Sequence, residues 1–358
     1  MNSRVKTLVI LSPGFPKNEE DSACIPPQQV FVKNLRQYYP NLNIIVLAFE
    51  YPFFSTQYQW NGITVISFGG RSRGKLFRLY NWIRIRKTLI RLNKQYQLTG
   101  LLSFWMGDCG LIGSTFAKRH DLKHFCWILG QDAKTGNKYF KWTNPNGNSL
   151  IALSDFIAKE TNKNYGVTPA HVIPLGIDPA MFGPSPTERD IDILGAGSLI
   201  PLKQFSLLVN MVSVLHIYFP DIKVMICGDG PERQLLNDII KEHNLEKNIQ
   251  LTGELDHTSV LALMQRTKVF VHPSAYEGFG MVCLEALYAG AQVVSFVRPM
   301  DAPVKNWHFT QGPDGMTDLV KNLLEAGTSP QSPVAPFYMR DTCRKVMGLF
   351  DYKEATTS

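Results

Sequence analysis

The sequence predicts an α/β protein built from two doubly wound domains in series. Short apolar runs alternate with longer amphipathic stretches, the pattern of parallel strands covered by helices on both faces. The alternation occurs in two sets, divided by a hinge-like stretch near 174–186; Pro169, Pro174, Pro179, Pro184 and Pro186 fall in it or just before it, with Gly176 and Gly183 among them. The two sets also differ in charge. Up to Gly176 there are 22 Lys and Arg against 9 Asp and Glu, and from Ile177 onward 15 against 21, so a net +7 conceals a basic half and an acidic half. With 358 residues, 44% of them hydrophobic, the chain can fill two cores, and wholesale disorder is excluded.

In the first half the expected strands are 5–11, 44–48, 64–68, 101–104, 125–129 and 150–153. The first stops at Pro13-Gly14, too soon for a secretory leader. In the second half the strands are 191–196, 223–227, 249–252, 269–272 and 292–296, and the stretches 203–218, 231–243, 257–266 and 281–289 have helical period and length. A second break, 328–336, holds Pro330, Pro333 and Pro336, and helical spacing resumes over 337–350. The expected domains are therefore 1–176 and 177–335, followed by a terminal helix over 336–358. No apolar run approaches the roughly 18 residues of a membrane span. Six scattered cysteines without a CxxC speak against a disulfide framework or a zinc site and for a reducing cytoplasm.

Two glycine turns follow strands, Gly195-Ala-Gly197 and Gly228-Asp-Gly230. Each lacks the third glycine of a dinucleotide fingerprint, but each suits a diphosphate approached by bare backbone. The stretch Ser274 to Gly290 carries the strongest signal. Glu277 precedes a Gly278-Phe279-Gly280 turn at the expected start of a helix, whose free amides and dipole make an anion site. Glu285 lies about a turn further on, within reach of ribose-type hydroxyls. On spacing alone, Glu277 reads equally as a helix-start residue and Glu285 as a solvated one.

Glu277 and Glu285 resemble the E-x7-E motif of retaining, nucleotide-sugar-dependent glycosyltransferases of the GT-B architecture, family four. Further segments resemble that family's motifs: Pro13-Gly14-Phe15-Pro16 its N-terminal glycine loop, Gly130-Gln-Asp132 its HG-x-[DE] segment, and Ile151-Ala-Leu-Ser154 its "vSxf" stretch. Val172 to Asp178 with Phe182 resembles its linker, and Gly197 to Lys203 its "GRLxxxKG" turn. Departures are Ser198 for the arginine, Gln204 for the glycine after the lysine, Leu129 for the histidine and Leu175 for the linker asparagine. Arg298-Pro-Met-Asp301 replaces the glycine-rich loop after the motif, and Arg298 is the candidate substitute for the missing arginine.

The resemblance implies two Rossmann-like domains facing a cleft, the first binding an acceptor and the second a nucleotide sugar, with a C-terminal helix crossing back and closure about the hinge excluding water. Lys203 and Glu277 would be catalytic. Gly14, Ser198, Gly228, Gly230, Leu255, Gly278, Phe279, Gly280 and Glu285 would bind the donor, Glu277 holding the sugar and Glu285 the ribose. Asp132 would line the acceptor site, and Trp105 and Asp108 are candidates for the same cleft from their own position after an expected strand end. No cofactor or metal is required, because Lys203 and the helix terminus can supply the positive charge. The implied activity is glycosyl transfer to a glycan or lipid-linked acceptor in cell-surface polysaccharide or glycolipid synthesis. The alternatives are a catalytically weakened nucleotide-sugar-binding module at a membrane, or another enzyme of this architecture such as an epimerase or phosphorylase.

Residues 51–107 contain no acidic residue, and Arg78, Arg84, Lys87 and Arg91 fall in one basic helical stretch with Leu76, Leu79, Ile83, Leu89 and Ile90 as its expected apolar face. Such a helix suits anionic lipid head groups at the inner face of a membrane, and equally a sheet-covering helix with a solvated face. Nucleic acid is not expected, since no stacking platform is present. His124 reads as structural and His272 as structural or functional alike.

Overall fold

The computed structural model describes residues 4–71, 73–184, 188–327 and 332–353. Pro186 and Pro330, two of the expected boundary prolines, lie outside the described residues. The chain forms two compact units. One contains the residues up to Leu175 together with those from Phe337, and the other is Gly176–Pro336.

In the first unit the chain runs β1 (Lys6–Gly14), α1 (Pro26–Tyr38), β2 (Asn43–Tyr51), β3 (Gln57–Trp60), β4 (Ile63–Ser67), α2 (Lys75–Gln95), β5 (Gln97–Phe104) and α3 (Asp108–His120). It continues through β6 (His124–Ile128), α4 (Lys138–Thr143), β7 (Leu150–Ala152), α5 (Asp155–Tyr165) and β8 (His171–Val172). The sheet order is β3-β4-β2-β1-β5-β6-β7-β8, parallel except for β3. The edge hairpin of β3 and β4 is an addition to the expected pattern. Its turn, Asn61-Gly62, has both residues at positive φ, 46° and 71°, the backbone a two-residue hairpin demands. The chain winds outward from β1 to β4 and returns to β5 beside β1. The loops after β1 and β5 therefore meet at the strand carboxyl ends, where such sheets place ligands.

In the second unit the order in sequence is β9 (Ile191–Ala196), α6 (Phe205–Leu215), β10 (Val224–Cys227), α7 (Arg233–Glu242), β11 (Ile249–Gly253), α8 (His257–Gln265) and β12 (Thr267–His272). Then follow α9 (Met281–Tyr288), β13 (Gln292–Ser295), β14 (Trp307–Phe309) and α10 (Gly312–Glu325). The sheet is β11-β10-β9-β12-β13-β14, and its strands pair in parallel. Its switch point lies between β9 and β12. One core packs α6, α7 and α10 against the sheet around Phe205, Val209 and Val320, and a second packs α8 and α9 around Leu261, Phe270 and Ala286.

The last helix, α11 (Met339–Leu349), belongs to the first unit and packs on α1. The Thr342 hydroxyl donates to the Pro174 carbonyl at 2.8 Å. Phe350 fills the space that Gly100 leaves on β5, where a Cβ would stand 2.5 Å from its ring.

Two expectations need correction. The stretch 203–218 is not one helix: Pro201–Lys203 form a 3-10 turn, and Gln204, at φ 52°, breaks the chain before α6 begins. The buried face of α2 is also not the expected one. Asn81, Ile85, Leu89 and Leu92 face the core, whereas Leu76, Leu79, Ile83 and Ile90 are exposed.

Candidate functional site

The site grows from the switch point of the second sheet. After β9 the chain turns at Gly197, and after β10 at Gly228. Gly197 donates to the Cys227 carbonyl and Leu199 to that of Asp229, both at 2.9 Å. A Cβ on Gly228 would lie 1.9 Å from the Gly197 oxygen, so the two turns touch backbone to backbone and only glycine fits. The loop after β12 is fastened to the same place. Ala275 N–H donates to the Leu202 carbonyl at 3.0 Å and the Ser274 hydroxyl to the same oxygen at 3.2 Å.

These bonds bring Lys203 and Glu277, 74 positions apart, into a direct ion pair. His272, at the end of β12 and 1% exposed, places Nε2 3.1 Å from the same Glu277 Oε1. Burial alone would raise the Glu277 pKa. The His272 hydrogen bond and the Lys203 ammonium outweigh it and hold the carboxyl down to about 2. Burial pulls His272 below the usual histidine value despite that carboxylate, so the ring is neutral and donates from Nε2 at neutral pH. Its Nδ1 is buried without a hydrogen-bond partner. Three residues after Glu277, Gly280 takes φ 82° and α9 begins with no side chain capping it, leaving amides and dipole for an anion.

Glu285 projects from the second turn of α9 and accepts a hydrogen bond from His257 Nε2 at 2.8 Å. Sequence reasoning does not single out His257. It precedes Glu285 by 28 positions, and only the packing of α8 beside α9 joins them. Ser198 and Leu255 are exposed on the flanking loops. Phe279 is corrected: its side chain is 1% exposed, edge-on to Trp307, so only its backbone can face a ligand. Arg298 donates to the Asp301 carbonyl of its own loop at 2.6 Å, and nothing places it as a substitute for the missing arginine.

The first-unit candidates are arranged differently. Gly14 ends β1 and is paired with Tyr51. Trp105 follows β5 with φ 63°, a conformation that side chains rarely adopt. Asp132 is corrected. It is buried, and its carboxylate accepts from the amides of Met106 at 2.8 Å, Gly130 at 2.9 Å and Leu129 at 3.1 Å. Both oxygens are used in holding loops together and none is offered to an acceptor. Burial still raises its pKa to about 6 against the effect of those amides. Asp108 is likewise engaged, by a two-pronged bond from Arg78 and by the Tyr139 hydroxyl. Arg78 is thereby withdrawn from the expected lipid-facing set. So is Arg84, which donates to the Phe68 carbonyl, Asn81 and Ser55. Lys87 and Arg91 stand exposed. His124 is half-buried, its Nε2 2.9 Å from the Ser103 hydroxyl, and desolvation lowers its pKa to about 3.

Among the described residues no three His, Cys, Asp or Glu side chains are grouped to hold a metal. No helix among them is long and apolar enough to cross a membrane.

The site's elements lie inside a segment, residues 179–304, that matches the family model described as glycosyl transferases group 1. The likeness to that family is carried by this segment of the chain. Over 152 residues it is 31% identical to a phosphatidylinositol N-acetylglucosaminyltransferase component of Homo sapiens, covering 41% of this chain and 31% of that protein. Over 178 residues it is 30% identical to glycogen synthase of Mycobacterium tuberculosis, covering 48% of this chain and 43% of that protein. The matched part is thus less than half of either relative. Two solved structures share the fold across the matched segment and beyond it. Sucrose-phosphate synthase from Thermosynechococcus elongatus aligns with TM-score 0.69 at 16% identity, over 97% of this chain and 95% of that one. HepE of Anabaena in complex with UDP-glucose aligns with TM-score 0.66 at 15% identity, over 96% and 95%. These likenesses establish a GT-B fold with two Rossmann-like domains.

Proposed function

We propose that the protein transfers a glycosyl group from a nucleoside-diphosphate sugar to a hydroxyl of a glycan or lipid-linked acceptor, with retention of anomeric configuration. The second unit would take the donor and the first the acceptor. The observation that carries this reading is the meeting of Lys203, Glu277 and the uncapped start of α9 at one switch point within the family domain. Transfer breaks the bond between the anomeric carbon and the phosphate oxygen, and the electron pair leaves with the phosphate. Fixed positive charge and N–H groups beside that phosphate stabilise the charge as it builds. Lys203 and the amides at the start of α9 would take that role, the side chain and the helix terminus supplying the charge without a metal. Glu277 would hold the sugar hydroxyls and Glu285 those of the ribose. The acceptor oxygen forms the new bond, and its proton goes to the departing phosphate.

Titration calorimetry with UDP and GDP, followed by assays for donor hydrolysis and for a new glycosidic bond, tests the reading. Lys203→Ala should lose at least about a hundredfold in kcat/KM. Nucleotide binding without turnover would favour a binding module instead, and an altered donor sugar without transfer would favour an epimerase.

The second part of the proposal concerns α2 and a place at the inner face of a membrane. Its exposed side carries Leu76, Leu79, Tyr80 and Ile83 beside Lys75, Arg86, Lys87 and Arg91. Apolar side chains among basic ones suit an anionic lipid surface. Vesicles containing phosphatidylserine should float with the protein at low salt, and Leu79→Asp with Ile83→Asp should abolish this. Equal flotation of that double variant, or none by the wild type at any salt, would remove the membrane from the proposal.

A further inference from the structure

Each carboxylate of the E-x7-E pair is met by an imidazole, and the one on Glu285 has a consequence for ligand choice. His257 is the first residue of α8, and that helix end is fixed from both sides. Asp256 caps it, accepting from Ser259 N–H at 3.0 Å, and one turn earlier Gly228 N–H donates to the Gly253 carbonyl at 2.8 Å. The ring is thus mounted on the same backbone frame as the glycine turns. Its Nε2 stands 2.8 Å from Glu285 Oε1, and both side chains are less than a fifth exposed. Burial disfavours the imidazolium, but the hydrogen bond and charge of Glu285, with Asp256 beside it, hold the ring above the usual histidine value, which secures a proton to donate. The bond to Oε1 restrains the carboxylate. Oε2 has no protein hydrogen-bond partner among the described residues, and its two lone pairs suit the adjacent hydroxyls of a cis-diol.

We infer that His257 is a positioning residue: it fixes Glu285 so that the second carboxylate oxygen meets the ribose diol, and it thereby sets a preference for ribo- over deoxyribonucleoside diphosphates. This rests on the nucleotide-sugar reading above.

The test measures calorimetric affinity of the full chain for UDP and GDP and for their 2′,3′-dideoxy counterparts. Hydrogen bonds to a charged group predict a ribo preference of about tenfold or more in the wild type. His257→Ala should weaken UDP or GDP by about tenfold, leave the dideoxy compound little changed, and so collapse the ratio. His257→Gln, whose amide can still donate to Oε1, should restore part of it. Independently of any nucleotide, Glu285→Gln should lower the His257 pKa followed by NMR. An unmoved ratio in a folded His257→Ala, or equal loss for both compounds, overturns this inference alone. Absence of UDP and GDP binding to the wild type overturns the nucleotide reading and this inference with it, while an unmoved His257 pKa in Glu285→Gln would show that the pair does not hold in solution.

Discussion

Lys203 can serve a phosphate only by sharing or exchanging its partner, because Glu277 already neutralises it. This fixes the sign of a test. Glu277→Gln removes the competing anion, so UDP should bind as tightly as to the wild type or tighter, while turnover falls by at least about a hundredfold as the sugar loses its anchor. Weaker UDP binding together with unchanged turnover would show that the carboxylate only orders the lysine. The same residue governs acid sensitivity. Its carboxyl titrates at about 2 in the fold against 4.5 as its ordinary value. A depressed carboxylate pKa stabilises the fold fully above about pH 4.5, and that contribution is lost as pH falls through about 2. Thermal unfolding from about pH 6 to about pH 2.5 should therefore show the gap between wild type and Glu277→Gln narrowing as pH falls. A gap independent of pH would remove the ion pair as its source.

Elements decide which of these residues meet. Asp132, expected from its motif to face an acceptor, instead ties the loop after β6 to the loop after β5 through three amides. Asp132→Ala would leave three largely buried donors unsatisfied, at about 1 kcal/mol or more each, so the first unit should lose roughly 3 kcal/mol, read as its denaturant midpoint. Loss of acceptor affinity with an unchanged midpoint would restore the binding role. Most of this architecture is legible in the sequence, because strands buried on both faces leave continuous apolar runs: the run 191–196 coincides with β9 to the residue, and the neighbouring runs match their strands within a few positions. The elements that such runs do not reveal have local signals of another kind. The Trp60-Asn61-Gly62-Ile63 turn announces β3 by turn chemistry, and Met316, Leu319, Val320 and Leu323 announce α10 by spacing. Helix α2 cannot be settled by periodicity. It carries two stripes of apolar residues, 76-79-83-90 and 85-89-92, the second continued by Asn81, and only the sheet beneath selects the second. The site is legible where motif residues are contiguous, as around Glu277. His257, and the bond from His272 to Glu277, are products of packing and leave no trace in spacing.

At the scale of the molecule, the path of the chain makes one unit depend on its far end. The first unit is closed by α11, whose Cys343, Val346 and Met347 are fully buried and whose following Phe350 is 4% exposed. Burying such side chains is worth about 1.5–3 kcal/mol for each large one, so together they contribute on the order of 5–10 kcal/mol. That is comparable with the whole stability of a domain. The empty face left by their removal would include Phe31 on α1 and the Gly100 stretch of β5, both made to receive them. Among the described residues, the hydrophobic cores of the second unit, Gly176–Pro336, contain no residue of α11. A chain ending at Pro336 should therefore keep the cooperative transition of the second unit and lose that of the first at room temperature. If the second unit is the nucleotide-binding one, UDP should still raise the surviving transition. Scanning calorimetry of the two chains, with and without UDP, decides it: a first-unit transition surviving within a few degrees of the full chain would show that α11 is an accessory to that fold and not part of its core.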